Sequence, residues 1–129
     1  MDLGSWKRRK FTPEWGGNKE QSEPCSILFT PPTVEWMSRW KGLALQAPAV
    51  VARAESEPKE LAAWEAEVRE FRAEMLGALV VGFVDLTTDG IPVTRDEGLA
   101  FVLENSGLLE ELFSAMIRAG GLGASGGKG

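Results

Sequence analysis

At 129 residues, with 43% hydrophobic and 26% charged positions, the chain has room for one domain with a modest core. A net charge of −5 argues against a general nucleic-acid binder, which needs clustered cations to displace counterions from phosphates. One cysteine and no histidine exclude an intrachain disulfide, a Cys-based metal centre and the usual Ser–His or Cys–His nucleophiles.

The carboxylates sit at helix-surface spacings or in first turns, where solvation and the helix dipole account for them. No enzymatic activity, cofactor or metal is therefore expected. There is no apolar run long enough to cross a bilayer and no apolar leader after Met1, so the expectation is a cytosolic protein with no membrane partner.

Residues 1–23 mix Trp6, Phe11 and Trp15 with the basic run Lys7, Arg8, Arg9 and Lys10, then Pro13 and the Gly16-Gly17 pair. This reads as an arm or a short strand with a turn. A hairpin between residues 6–12 and 25–30 fits, and so does an arm that orders only on a partner. The basic run reads first as a solvated tetrad, with contact to nucleic acid or an acidic surface as the lesser alternative. Residues 25–30, bounded by Pro24 and Pro31, predict a short strand.

A first helix is predicted over residues 33–45, with Val34, Met37, Trp40 and Leu45 at helical spacing. Trp36 and Trp40 share a face and read first as core anchors, with an interface patch as the other reading. Residues 46–56 form a linker in which 49–52 adds a turn of helix. The stretch around which the rest is arranged follows, one long amphipathic helix over residues 56–83. Leu61, Trp64, Val68, Phe71, Met75, Ala78 and Gly82 form its apolar stripe, and Glu65 and Arg69 form an i,i+4 pair on its outer face. Ser56 is placed to cap it and Pro58 suits its first turn.

Asp89-Gly90, between short apolar runs, predicts a hairpin-like turn ahead of Pro92, while the remaining oxygen ligands of an EF-hand are missing. Thr94 and Glu97 form a capping box, so a helix starts there and carries Leu99, Val102 and Leu103 inward. Asn105 or Gly107 in the left-handed conformation ends it. A last helix to about residue 119 presents Leu108, Leu109, Leu112, Phe113, Met116 and Ile117. Residues 120–129 read as a flexible Gly-rich tail, not a phosphate-binding loop. The fold expected is mainly α: a small helical domain on one long central helix (24–119), a short N-terminal strand or hairpin in the arm (1–23), and the tail (120–129).

Residues 79–119 resemble the tail assembly chaperones of long-tailed bacteriophages. Val80, Phe83, Leu86, Asp89, Gly90, Pro92, Val93 and Thr94 fill that family's turn pattern between a long helix and a short one, and residues 105–109 take the place of its break before the last helix. The resemblance implies a non-catalytic protein of the host cytoplasm that binds the tape measure protein, recruits tail tube subunits and leaves before the tail is complete. It implies Trp36, Trp40 and Trp64 as partner contacts and leaves self-association open. Gly127-Lys128 fits the codons of a slippery site for the minus-one ribosomal frameshift by which such chaperones are often made in two lengths. The basic, aromatic arm is a departure from the family pattern. A structural virion component, either a head-tail connector or a minor tail protein, and an adaptor with a basic arm are the alternatives.

Overall fold

The apolar stretch between Pro24 and Pro31 has a strand's worth of backbone donors and acceptors to satisfy, and it finds partners on both sides. In the computed structural model, which describes residues 7–120, it forms β2 (Ser26–Phe29) at the middle of a three-stranded antiparallel sheet. On one side lies β1 (Arg9–Phe11), with Phe11 opposite Ile27 and Arg9 opposite Phe29. On the other lies β3 (Val80–Val84), with Phe83 opposite Ile27 and a register shift between Leu28 and Phe29. The predicted hairpin pairing of the arm is therefore present, and β1 draws the arm into the same sheet as β3. The third strand was not anticipated.

That third strand corrects the long-helix boundaries. The helix over residues 56–83 is α3 (Pro58–Leu79), and Val80 begins β3 with no intervening loop. Valines 80, 81 and 84 with Phe83 favour a pleated surface, and the Leu79 carbonyl already accepts from the Thr30 N–H at 2.9 Å. Arg95 reaches back across this junction, its Nε donating to the Val80 carbonyl at 2.8 Å and its Nη2 to the Gly77 carbonyl. Gly82 thus belongs to the strand, and Ala78 is exposed. Ser56 does not cap α3: Glu57 occupies that position and the Ser56 hydroxyl donates to the Arg53 carbonyl. The Glu65–Arg69 pair is absent among the described ion pairs. Arginines of α1 and α3 bridge between helices instead.

Before α3 come α1 (Val34–Ala44), capped by Thr33, and α2 (Ala47–Ala52), which lengthens the predicted single turn. After β3, strands β4 (Thr87–Thr88) and β5 (Ile91–Pro92) pair around Asp89 and Gly90. Both turn residues have positive φ, 52° and 81°, the pattern of a type I′ hairpin whose twist suits its flanking strands. Helix α4 (Arg95–Glu104) opens on the full capping box: Thr94 N donates to Glu97 Oε1 at 2.8 Å, and Glu97 N donates to Thr94 Oγ1 at 3.2 Å. Helix α5 (Ser106–Ala119) follows after one residue. Neither Asn105 nor Gly107 is left-handed, in contrast to expectation. Asn105 is extended, and its side-chain amide donates to the Phe101 carbonyl at 2.8 Å.

The core lies between the sheet and the helices. Val68, Phe71, Met75, Leu76 and Leu79 of α3 are buried, as are Leu108, Leu109, Leu112, Phe113, Ala115 and Met116 of α5, with Ile27 and Phe29 from β2. Val102 of α4 is buried, whereas Leu103 points outward. Gly98 makes the closest approach of α4 to the sheet: a Cβ there would lie 2.3 Å from the Phe83 ring.

Candidate functional site

Helix α1 is fastened by aromatic stacking along one face. Trp36 and Trp40, one turn apart, straddle Phe71 of α3 with ring centroids at 5.8 and 6.0 Å. Trp40 also meets Phe113 of α5 edge-on at 4.8 Å. Such pairs each contribute about 0.5–1.5 kcal/mol beyond their area burial. The Arg39 guanidinium lies 4.9 Å from the Trp36 centroid and makes a forked pair with Glu74, at 3.0 and 2.8 Å. Glu74 is held below the usual carboxylate range by its hydrogen bond to Arg39. At the other end of α1, the Trp64 indole N–H donates to the Leu43 carbonyl at 2.9 Å. That carbonyl also accepts from the Gln46 N–H at 3.2 Å, so the indole adds a second donor at the end of α1.

Arg72 of α3 continues the stack, 4.7 Å from the Phe113 centroid and paired with Glu110. Its Nε is buried without a hydrogen-bond partner among the described residues. Trp36, Trp40 and Trp64 are thus brought together along one seam between α1 and α3, each half-buried rather than presented outward.

The opposite side of α1 is apolar and open. Val34 and Leu45, both part of the predicted helical spacing, are 78% and 73% exposed. The physical reason is phase. The inner face is filled by Trp36, Trp40 and Leu43, which turns Val34 and Leu45 to the far side. Between α1 and the end of α5 runs a groove of about 340 Å³ floored by Met37, Trp40, Ala44 and Ile117, with Val34 and Lys41 on its edge. Gly120 closes one end; a Cβ there would lie 2.5 Å from Met37 Sδ. Sequence reasoning missed this groove, although a lysine in the middle of an apolar helix face was a visible signal that the face was not core.

A second concavity, of about 210 Å³, lies where the arm folds back over β3 and α4, lined by Trp15, Cys25, Phe83 and Phe101 among others. It is a built loop. The Asn18 amide donates to the Pro13 and Cys25 carbonyls at 2.8 and 2.9 Å, while its Oδ1 accepts from the Cys25 N–H at 2.8 Å. Glu14 N donates to Glu111 of α5 at 2.8 Å, tying the arm down from outside. Burial pushes the Cys25 thiol above its ordinary pKa, and the nearby Asp85 charge adds to this. The thiol is thereby kept protonated and weakly nucleophilic.

The turn residues Asp89, Gly90, Pro92, Thr94 and Glu97 lie together at the entry to α4, where every interaction found is structural. Gly127 and Lys128 lie outside the described residues. Among the described residues no three His, Cys, Asp or Glu side chains converge as a metal site, and no helix is long and apolar enough to cross a membrane. What this geometry offers chemically is contact surface, in the form of an apolar groove beside an aromatic seam. Comparison with family models, curated proteins and solved structures gives no significant match for the chain.

Proposed function

We propose that this protein is a non-catalytic tail assembly chaperone of a long-tailed phage, working in the host cytoplasm to bind the tape measure protein and recruit tail tube subunits. The observation that carries the reading is the open apolar face of α1. A holdase needs apolar surface in reach of a client, and Val34, Leu45 and the groove beside them supply it on a helix whose inner side is already satisfied. The resemblance of residues 79–119 to that family supports the same reading. In this proposal α3 is the spine of the helical unit, and the aromatic seam with Trp36, Trp40 and Trp64 holds α1 in position for the client.

The test is co-expression with whichever long, helix-rich protein is encoded in a neighbouring reading frame. The client becomes soluble and co-purifies if the proposal is right. It stays insoluble if the proposal is wrong. Purified particles provide a second readout: a chaperone is absent from them, and a structural component of the virion remains.

A further inference from the structure

Helix α1 is held to the molecule by one face. The other carries Val34, Lys41 and Leu45 at steps of seven and four residues, which align on a helix. It continues into the groove through Met37 and Ile117. Two side chains so exposed leave apolar area in water whose burial is favourable at about 25 cal/mol per Å².

The charges around the groove decide what covers it. Lys41 lines it, and Arg118 lines the depression that continues from it past Trp40 and Ile117. Neither has a carboxylate partner among the described residues, whereas the charge of Arg72 is answered by Glu110. In a chain of net charge −5 this is a local cationic excess beside an apolar floor. A basic helix is repelled there. A helix with carboxylates flanking its apolar stripe is matched on both counts.

Among the described residues of a second copy, α4 exposes only Phe101 and Leu103 as large apolar side chains, 40% and 42%, and the longer helices offer no such stripe. The carboxylates of α3 lie on its outer face, while its buried residues, like those of α5, are spent in the protomer's own core. The 11 residues of α1 extend over about 16 Å, enough for three turns of a partner helix.

We propose that the α1 groove docks one amphipathic helix of a partner protein, its apolar stripe laid against Val34, Met37 and Ile117 and its flanking carboxylates reaching Lys41 and Arg118. The partner's identity rests on the chaperone reading; the chemistry of the groove does not.

The experiment is fluorescence anisotropy of the full chain against a labelled helical peptide of about 15 residues, long enough to run the length of α1. The peptide carries a leucine stripe flanked by Glu, and its twin has Lys in place of every Glu. The Glu peptide is expected to bind at least about tenfold more tightly, the sum of two modest surface ion pairs, with the preference shrinking as salt rises. The double variant K41E/R118E, at two exposed positions in last helical turns, is expected to reverse the order while staying folded, with its Tm lowered by no more than a few degrees. Equal binding of the two peptides, binding of neither, or a preference untouched in K41E/R118E would overturn the proposal. So would a wild-type chain that dimerises through α1 and excludes both peptides.

Co-expression separates the two readings. If wild type solubilises the neighbouring client and K41E/R118E does so equally well, the groove is not the contact and the chaperone reading stands. If wild type fails to solubilise the client yet selects the Glu peptide, the groove stands and the chaperone reading falls.

Discussion

Glycine 98 lies inside α4, where alanine would ordinarily be the better residue by about 1 kcal/mol. Here the substitution Gly98→Ala is expected to destabilise. The new Cβ would sit 2.3, 2.4 and 2.8 Å from three carbons of the Phe83 ring, against 3.4–4 Å for ordinary contact. The ring, or α4 itself, must retreat by about an ångström, and overpacking of this kind costs about 1–3 kcal/mol. Set against the helix-propensity gain, the net loss is about 0–2 kcal/mol, a fall in Tm of up to about 8 °C for a domain of this size. The cause is isolated by Phe83→Val, which keeps a strand-favouring residue in β3 but removes the three clashing carbons. In that background Gly98→Ala is expected to change sign and stabilise by up to about 1 kcal/mol. Urea denaturation followed by far-UV circular dichroism on the four chains of the cycle measures this directly. If Gly98→Ala stabilises the wild-type chain, or destabilises both backgrounds equally, the close approach of α4 to β3 is refuted.

Three further outcomes follow from side chains already placed. Arg95→Gln removes the charged donor from the Gly77 and Val80 carbonyls at the helix-to-strand junction; a loss of about 1.5–3 kcal/mol is expected, read as a lower midpoint in urea with unchanged cooperativity. Cys25 alkylation by iodoacetamide is expected to be slower than that of a free thiol and still rising at about pH 9.5, where an unperturbed thiol is levelling off; a plateau by about pH 9.5 would mean that neither burial nor Asp85 holds the proton on. Glu97 is held below its ordinary value by its hydrogen bonds to Thr94, first the backbone and then the hydroxyl, and Glu74 by Arg39. Because both pKa values are depressed in the folded chain, their contribution is present above the unfolded value of about 4.3 and is lost as pH falls through the folded one. The double variant E74Q/E97Q is expected to lose less stability than wild type between neutral pH and acid, and parallel curves would show that the two carboxylates do not carry the acid limb.

Much of the chain was legible where the governing interaction is local. Thr94 and Glu97 satisfy each other within three residues, and Asp89-Gly90 fixes its turn by backbone conformation alone. The junction at residues 79–80 was not legible, because Val80, Val81 and Phe83 fit a buried strand as well as a helix end. What decides between them is the unpaired edge of β2, a requirement made about fifty residues earlier in the chain. Gly98 and Gly107 are in the same position. Neither has a positive φ that a turn motif would announce, and their small size is explained only by the ring each one faces, Phe83 and Trp15. Asn105 broke a helix as expected but by an extended conformation, since Ser106 could open α5 immediately.

The sequence left the phase of α1 open between two readings, and the choice between them links fold to function. On α1 two apolar arcs compete: Val34, Met37, Trp40 and on toward Leu45, or Trp36, Trp40 and Leu43. Both have helical spacing and both contain Trp40, so periodicity cannot choose between them. Arg39 can. Its guanidinium must reach Glu74 on α3, and its stem lies over Trp36 and Phe71, which is possible only when Trp36 is inside. With that phase fixed, Val34 and Leu45 must face away from the core, and Lys41 between them has no carboxylate to meet among the described residues. The aromatic packing that orients α1, with the Arg39–Glu74 pair spanning it, is therefore also what leaves its apolar, cationic face open. Reversing Arg39 and Glu74 together as R39E/E74R should keep the phase and peptide docking, whereas R39E alone should loosen α1 and weaken docking without touching a groove residue.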